Sequence, residues 1–146
     1  MDISQLNIGS SVQAPNWLTV DQNRINEFAS ATGDYQWIHI DEKRCKQESP
    51  FKTTIAHGFL TAALMPKMFG ETISIDSKQY TMLNYGIDTL RYLEPVRVND
   101  KIRFTFTLES IEQKETGRLH RFNTSVSIQG RDKPALIGTF LMLLVG

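Results

Sequence analysis

The sequence predicts an α+β domain in which helices come first and an antiparallel sheet follows. In the first half of the chain, apolar residues recur at the spacing of a helix, and beyond about residue 80 they alternate with polar residues as in a strand. No repeat, low-complexity tract or linker divides the 146 residues, and this length is typical of one domain. We therefore expect a single domain spanning residues 1–146.

Two short helices are expected in the first third of the chain. In TVDQNRINEFASATG, Thr19 can cap a helix with Gln22 three residues later, and Gly33 offers a left-handed stop. In DEKRCKQES, Asp41 can cap a second helix. The serine and proline that follow are expected to close this second helix, because proline cannot continue it.

One longer helix is expected after them. The stretch TTIAHGFLTAALMPKMF, residues 53–69, is apolar on nearly all sides, which favours a helix buried by the rest of the domain. Pro66 is expected to end or kink this helix, because proline lacks the N–H that a helix interior needs.

The second half of the chain predicts about five antiparallel strands that wrap the long helix. KIRFTFTLESI and RFNTSVSI alternate apolar and polar residues, which is typical of strands with one buried face. Between them KETG predicts a hairpin turn, with Gly117 at a position of positive φ. ALIGTFLMLLV is continuously apolar, which indicates burial on both faces, and NYGIDTLRYLEPV supplies a further strand. The residues expected to point inward are Ile102, Phe104, Phe106, Leu108, Phe122, Thr124, Val126 and Ile128.

Composition argues against several classes of partner. Lys and Arg number 16, as do Asp and Glu, and the densest positive cluster, DEKRCK, is weak, so we expect no nucleic-acid partner. The longest apolar run, FLMLLV, is far short of the roughly 20 residues that span a bilayer, so we expect no membrane partner and a cytoplasmic location.

The single cysteine, Cys45, allows no internal disulfide and is assigned no role. The histidines show no clustered spacing, so we expect no metal site, and His120 is expected to be a solvated strand residue.

Asp34, His39 and the pair His57-Gly58, one turn into the long helix, are the candidate chemical groups. An acid and an imidazole can together hold one water and remove and return protons. The same residues also have structural interpretations, with Asp34 as a turn residue bonded to the backbone and His39 as a half-buried ring satisfied by a carbonyl. Spacing along the chain leaves both interpretations open.

Two segments of the chain resemble a known family. FASATGDYQWIHID followed by SPFKTTIAHGFLTAALMP is similar to the MaoC-like dehydratases, the (R)-specific enoyl-CoA hydratases, whose pattern runs F-A-x-x-[ST]-G-D-x-N-P-[IL]-H-x-D and then P-[IV]-[AV]-H-G. The likeness covers residues 28–66, and LNYGIDTLRYLEPVRVNDKIR, residues 83–103, resembles the later F-x-x-P-V-x-x-G-D pattern of the same family. Gln36-Trp37 and LNYGID are most similar to the nodulation protein N branch.

The resemblance implies a hot dog fold, in which the sheet wraps one long central helix and two subunits pair edge to edge as a homodimer. It also implies a hydro-lyase that adds water to a trans-2-enoyl thioester to give an (R)-3-hydroxyacyl thioester, with coenzyme A or acyl carrier protein as the carrier. In that family an aspartate and a histidine activate the water, and the glycine after the second histidine binds the thioester carbonyl. By motif position these residues are Asp34, His39 and Gly58. The reaction needs no cofactor and no metal ion.

Five further residues are candidates for binding substrate. Gln36 and Trp37 stand where the family has Asn-Pro and are expected to reshape the acyl pocket. His57 is either a substrate contact or a helix-start imidazole bonded to a neighbouring loop. Asn84 and Tyr85 open a strand, where they can either reach the thioester across the dimer or tie strands together.

Two other functions compete with hydration. Thioester hydrolysis on the same fold normally uses a carboxylate within or beside the central helix, and no Asp or Glu occurs from Phe51 to Gly70. A non-catalytic module that binds acyl thioesters is the second alternative, and the atypical Gln36-Trp37 loop favours it. The candidate residues Asp34, His39 and Gly58 are all present, which favours hydration.

Overall fold

The computed structural model describes residues 1–146, which form one sheet and five helices. A 3₁₀ turn at Ile3–Gln5 opens the chain. The helices are α1 (Gln22–Thr32), α2 (Trp37–Ile40), α3 (Glu42–Glu48), α4 (Gly58–Ala63) and α5 (Met65–Thr72). The strands are β1 (Ser11–Gln13), β2 (Leu18–Val20), β3 (Thr81–Tyr92), β4 (Asp100–Gln113), β5 (Arg118–Ile128) and β6 (Leu136–Val145). None of these helices combines the length and the apolar character that a membrane span requires.

The sheet is antiparallel throughout and has six strands, one more than the estimate from sequence. Its order is β1-β4-β5-β6-β3. On the same side of β4, β1 pairs with residues 105–107 and β2 pairs with residues 100–102. The β3 strand pairs only with β6, so β3 forms one edge of the sheet. The register of β3 shifts at Asn84/Gly86 and again at Ile87/Thr89, which gives this edge two irregularities.

The core lies between the sheet and the α4–α5 segment. The alternation predicted for β4 and β5 is confirmed, since all eight residues expected to point inward are at most 3% exposed. Phe69 of α5 meets this face, with its ring centroid 5.3 Å from that of Phe106 and 4.9 Å from that of Phe122. The sheet therefore wraps the helical segment, as in the predicted hot dog arrangement.

The central helix is shorter than residues 53–69 and is divided in two. It begins at Gly58, because the preceding residues are extended and pair with another loop, through Ala56 N–H to the Val96 carbonyl at 2.7 Å. The break falls at Leu64, and Pro66 occupies the first turn of α5. Proline removes the hydrogen bond to the residue four positions earlier and its ring clashes with that carbonyl, so the predicted kink is confirmed.

The expected helix ends are confirmed with one correction. Gly33 ends α1 with φ of 79°, and Asp41 caps α3 by accepting the Arg44 N–H at 3.0 Å. Thr19 does not cap α1, because it belongs to β2 and pairs with Lys101. Asp21 caps α1 instead, by accepting the Arg24 N–H at 2.9 Å.

Two expectations, one for the turn before β5 and one for β5 itself, are wrong. Gly117 does not have a positive φ. It is glycine because a Cβ there would lie 2.2 Å from the Leu144 carbonyl oxygen, so the neighbouring strand leaves no room for a side chain. His120 is 3% exposed and not solvated, since it shares the inward face of β5 with Phe122 and Thr124.

Candidate active site

The loop after α1 carries Asp34. Gly33 turns the chain at the end of the helix, and Asp34 follows it on an exposed stretch. The Gln36 N–H donates to Asp34 Oδ1 at 3.3 Å, which is the turn-type bond that the structural interpretation expects. The carboxylate remains open to solvent, so this bond does not remove it from chemistry.

His39 is held in one orientation by a backbone carbonyl. It lies on α2, is 6% exposed, and its Nδ1 is 2.8 Å from the Ile55 carbonyl oxygen. A carbonyl can only accept, so Nδ1 carries the proton and the neutral ring keeps a lone pair on Nε2. Burial lowers the pKa of His39, with a smaller lowering from His57, while the Ile55 bond and the charge of Asp34 oppose the shift. A neutral imidazole with a free Nε2 can accept a proton.

His57 joins these two residues. It is 2% exposed, directly precedes α4, and its Nε2 donates to the Asp34 carbonyl oxygen at 3.0 Å, which confirms the predicted bond to a neighbouring loop. Its ring stacks on that of His39, with centroids 3.8 Å apart and planes 23° from parallel. One donor atom from each of Asp34, His39 and His57 lies within 4.8 Å of the other two. The structure therefore brings the acid and the imidazole together, which the spacing in sequence left open.

This cluster corrects the expectation that the histidines are scattered. Three side chains at such spacing could hold a metal ion. Two of their nitrogens are already committed, however, since His39 Nδ1 donates to Ile55 and His57 Nε2 donates to Asp34. The other nitrogen of His57 is buried and has no partner. The atoms left without a hydrogen-bond partner are one carboxylate oxygen of Asp34, Nε2 of His39 and the buried Nδ1 of His57.

A cavity of about 290 Å³ adjoins His39 and is called the His39 cavity below. Gly58, the first residue of α4, and the buried Thr61 line it from the helix, and Glu94 lines it from the loop after β3. The N–H of a residue in the first turn of a helix has no acceptor within that helix. His39 and Gly58 therefore share one cavity in which a small polar group can meet both.

Tyr92 is a cavity residue that sequence reasoning missed. It ends β3, and a Cβ at position 58 would lie 2.9–3.0 Å from its ring atoms. Residue 58 is glycine because the Tyr92 ring packs directly against it. Burial raises the pKa of the Tyr92 hydroxyl. The signal was available, because Tyr92 stands at the aromatic position of the YLEPV segment that resembles the family.

The other predicted substrate-binding residues lie elsewhere. Gln36 is exposed, and Trp37 packs under the Arg44 guanidinium, which is 4.1 Å from its ring centroid. Asn84 and Tyr85 line a separate cavity of about 530 Å³ between α4–α5 and the edge strand, called the β3 cavity below. Within one subunit, the structure does not bring these four side chains to the His39 cavity.

A polar network involving Gln22 and Thr54 holds the backbone of His39 in place. The Gln22 side-chain amide donates to the His39 carbonyl at 2.8 Å, and the Thr54 hydroxyl donates to the Gln22 side-chain oxygen. Thr54 is fully buried. These contacts fix α2 against the start of α1, and no local pattern in the sequence could reveal partners 17 and 32 residues apart.

Comparison with known proteins shows the family and the fold of the chain. Residues 4–129 match the MaoC-like domain family. The chain is 36% identical over 138 residues to 3-hydroxyacyl-thioester dehydratase Z of Mycobacterium tuberculosis, covering 94% of this chain and 90% of that protein. It is 37% identical over 143 residues to nodulation protein N of Rhizobium meliloti, covering 97% and 88%. The unliganded R-hydratase of Pseudomonas aeruginosa superposes with a TM-score of 0.77 at 22% identity, over 96% of this chain and 83% of that one. The chain therefore belongs to the MaoC-like domain family and has the hot dog fold.

Proposed function

We propose that this protein is a hydro-lyase that reversibly adds water to a trans-2-enoyl thioester and yields an (R)-3-hydroxyacyl thioester. The observation that carries the proposal is the convergence of the Asp34 carboxylate and the His39 imidazole, within 4.8 Å of each other. Of these two residues, His39 lines the cavity that Gly58 also lines. The name of the mycobacterial relative, a 3-hydroxyacyl-thioester dehydratase, supports the same reaction class.

One water can be held by both groups. Two acceptors less than 4.8 Å apart can each take one O–H of a single water at about 2.8 Å. The water oxygen then directs a lone pair away from both groups and towards C3 of the enoyl thioester. As the C–O bond forms at C3, the Asp34–His39 pair takes one proton from the water, and the pair then returns that proton to C2 as the C2–C3 double bond becomes a single bond. The double bond thereby gains H and OH, and the reverse sequence removes them.

The negative charge that develops during this addition lies on the thioester oxygen. In the proposed mechanism the Gly58 N–H donates to that oxygen, because it opens α4 and lines the same cavity as His39. Helix α4 has only six residues, so the proposed stabilisation is a local hydrogen bond and does not depend on a long helix dipole.

We also propose that the protein works as a homodimer paired through β3. This strand of 12 residues is an edge, and its backbone groups on the free side have no partner strand. Leu83, Tyr85 and Ile87 on it are 46–53% exposed, and Phe59 of α4 beside them is 69% exposed. A second copy would bury this apolar patch, and Asn84 and Tyr85 would then contact the partner or its substrate.

The test is direct hydration of an enoyl-CoA. Crotonyl-CoA and longer trans-2-enoyl-CoA esters are added to the protein, and the loss of the conjugated absorbance is followed. We expect the absorbance to fall and (R)-3-hydroxyacyl-CoA to appear, without free thiol. Release of free coenzyme A would favour the thioesterase alternative, and tight binding of the ester without turnover would favour the binding module. Either result would contradict the proposal.

A further inference from the structure

His57 has features that a merely structural residue would not need. It is 2% exposed and directly precedes α4, yet its side chain does not cap that helix. Its Nδ1 is buried without any hydrogen-bond partner. An unpartnered buried nitrogen costs stability, so an apolar ring of similar size would suit packing better.

The side-chain hydrogen bond of His57 and its stacked ring contact both involve the two proposed catalytic residues. Its Nε2 donates to the Asp34 carbonyl oxygen at 3.0 Å, which fixes the backbone of the acid. One face of its ring lies on His39, with centroids 3.8 Å apart. The ring of Phe28 from α1 packs against it with a centroid distance of 4.9 Å, so His57 cannot shift without moving both neighbours.

We infer that His57 is a positioning residue, which holds the Asp34 carboxylate and the His39 imidazole where both can bind the same water. This inference rests on the proposed function. A side chain at this site must combine a flat ring, which defines the plane of His39, with an N–H donor, which anchors Asp34. Phenylalanine has only the ring and glutamine has only the donor, so histidine alone among these three satisfies both neighbours.

The two partial replacements give a test. His57→Phe keeps the stack and loses the donor, whereas His57→Gln keeps a donor and loses the stack. We expect His57→Phe to lower kcat for enoyl-CoA hydration by about 10- to 100-fold, a fraction of what a positioned acid/base group contributes, with KM changed little. We expect His57→Gln to recover part of that loss, because the Asp34 carbonyl is again anchored. The control is His120→Phe, which replaces an equally buried histidine outside the site and should leave kcat unchanged.

A second readout does not depend on turnover. The titratable or charged groups around His39 are Asp34 from the loop, His57 from the start of α4, and Tyr92 and Glu94 across the His39 cavity. Nitrogen-15 NMR of the His39 ring reports its tautomer and pKa in the wild type and in each variant. Because the neighbouring His57 lowers the pKa of His39, His57→Phe should raise that pKa while the Nδ1–H tautomer persists. His120→Phe should leave both unchanged.

The outcomes separate the two proposals. If the wild type hydrates no enoyl thioester, the proposed function fails, and the NMR titration still shows whether His57 governs His39. If the wild type is active, the inference is overturned by a folded His57→Phe protein with kcat within twofold of wild type and an unshifted His39 pKa. Should His57→Phe fail to fold, His57→Gln decides alone, and unchanged kcat with an unchanged His39 titration contradicts the inference.

Discussion

The imidazole of His39 lies on the imidazole of His57, with centroids 3.8 Å apart, and each ring donates to a carbonyl in a different segment. His39 Nδ1 donates to Ile55, and His57 Nε2 donates to Asp34. The two bonds run in opposite directions between residues 34–39 and 55–57, so they lock the acid loop and the start of α4 together. The arrangement leaves His39 Nε2 free.

The pH dependence of the proposed hydration should report the environment of His39. Burial, and secondarily the neighbouring His57, lower its pKa below the ordinary value of 6.5. The neutral, proton-accepting form should therefore persist as pH falls through 6.5 and disappear only below it. We expect the acid limb of kcat/KM for enoyl-CoA hydration, which reports the free enzyme, to have its midpoint below 6.5. An acid limb centred at or above pH 6.5 would contradict this prediction if that limb disappears when His39 is replaced.

The effect of Gly58→Ala on the unfolding free energy should depend on whether Tyr92 is present. The new methyl would lie 2.9–3.0 Å from the Tyr92 ring, so the ring must turn away. Tyr92 is 45% exposed and can move, hence we expect Gly58→Ala to fold, with a loss of unfolding free energy at the lower end of the roughly 1–3 kcal/mol typical of overpacking. In a Tyr92→Ala background the same change should cost little, because alanine is favoured over glycine in helices by up to about 1 kcal/mol. Denaturant unfolding of the four proteins measures the coupling.

The same four proteins separate packing from catalysis. If substrate approaches residue 58 closely, the methyl should still lower kcat/KM by about 10²-fold in the Tyr92→Ala background, the scale of a lost oxyanion donor. If the double variant Gly58→Ala/Tyr92→Ala has the same kcat/KM as Tyr92→Ala alone, Gly58 is needed only to accommodate the Tyr92 ring.

Stability should decline in mild acid through His120. Burial lowers the pKa of this side chain from 6.5, although its bond to the Arg118 carbonyl opposes the shift. Below pH 6.5 the unfolded chain therefore binds more protons than the folded one, so this contribution to stability is complete above 6.5 and is lost as pH falls through the lowered folded pKa. The slope per histidine is at most about 1.4 kcal/mol per pH unit.

His120→Phe isolates that contribution. Its unfolding free energy, measured by urea between pH 8 and pH 5, should fall less steeply than that of the wild type, whatever its value at pH 8. His39 also has a lowered pKa and remains in both proteins, so a residual slope is expected. Parallel curves for the two proteins would show that His120 is not protonated on unfolding.

Charges on the free edge should dissociate the proposed dimer. Leu83 and Ile87 are 47% and 46% exposed on β3, and lysine at an edge opposes strand pairing. We expect sedimentation at micromolar concentration to show a dimer for the wild type and a monomer for Leu83→Lys/Ile87→Lys. The control is Ile111→Lys, a 41% exposed position on β4, which should stay dimeric. A monomeric wild type contradicts the proposal.

The fold was largely predictable because burial on one face imposes a period of two on a strand. That regularity fixed the inward sets of β4 and β5 correctly. It could not identify the role of Gly117, since a positive φ and a close approach by Leu144 both call for glycine. It also misjudged His120, because a polar residue in a strand gives no local sign that its face is buried.

The site was predictable only in part. The motif resemblance singled out Asp34, His39 and Gly58, but their distances depend on contacts between segments about 20 residues apart. The stacking of His57 on His39, and the Tyr92 ring against Gly58, arise from tertiary packing that no local periodicity encodes. The same is true of Asn84 and Tyr85, which resemble site residues in sequence and line a different cavity in the folded subunit.

The central claim is that Asp34 and His39 act on the same water, and a double-mutant cycle on kcat tests it most directly. Asp34→Asn and His39→Gln each keep approximate size and hydrogen bonding while removing the proton acceptor, and each should lower kcat for enoyl-CoA hydration by roughly 10²-fold or more. Because either loss alone disables the shared water, the double variant should be scarcely slower than the slower single variant. Losses that multiply, or either single variant near wild-type rate, would contradict the mechanism.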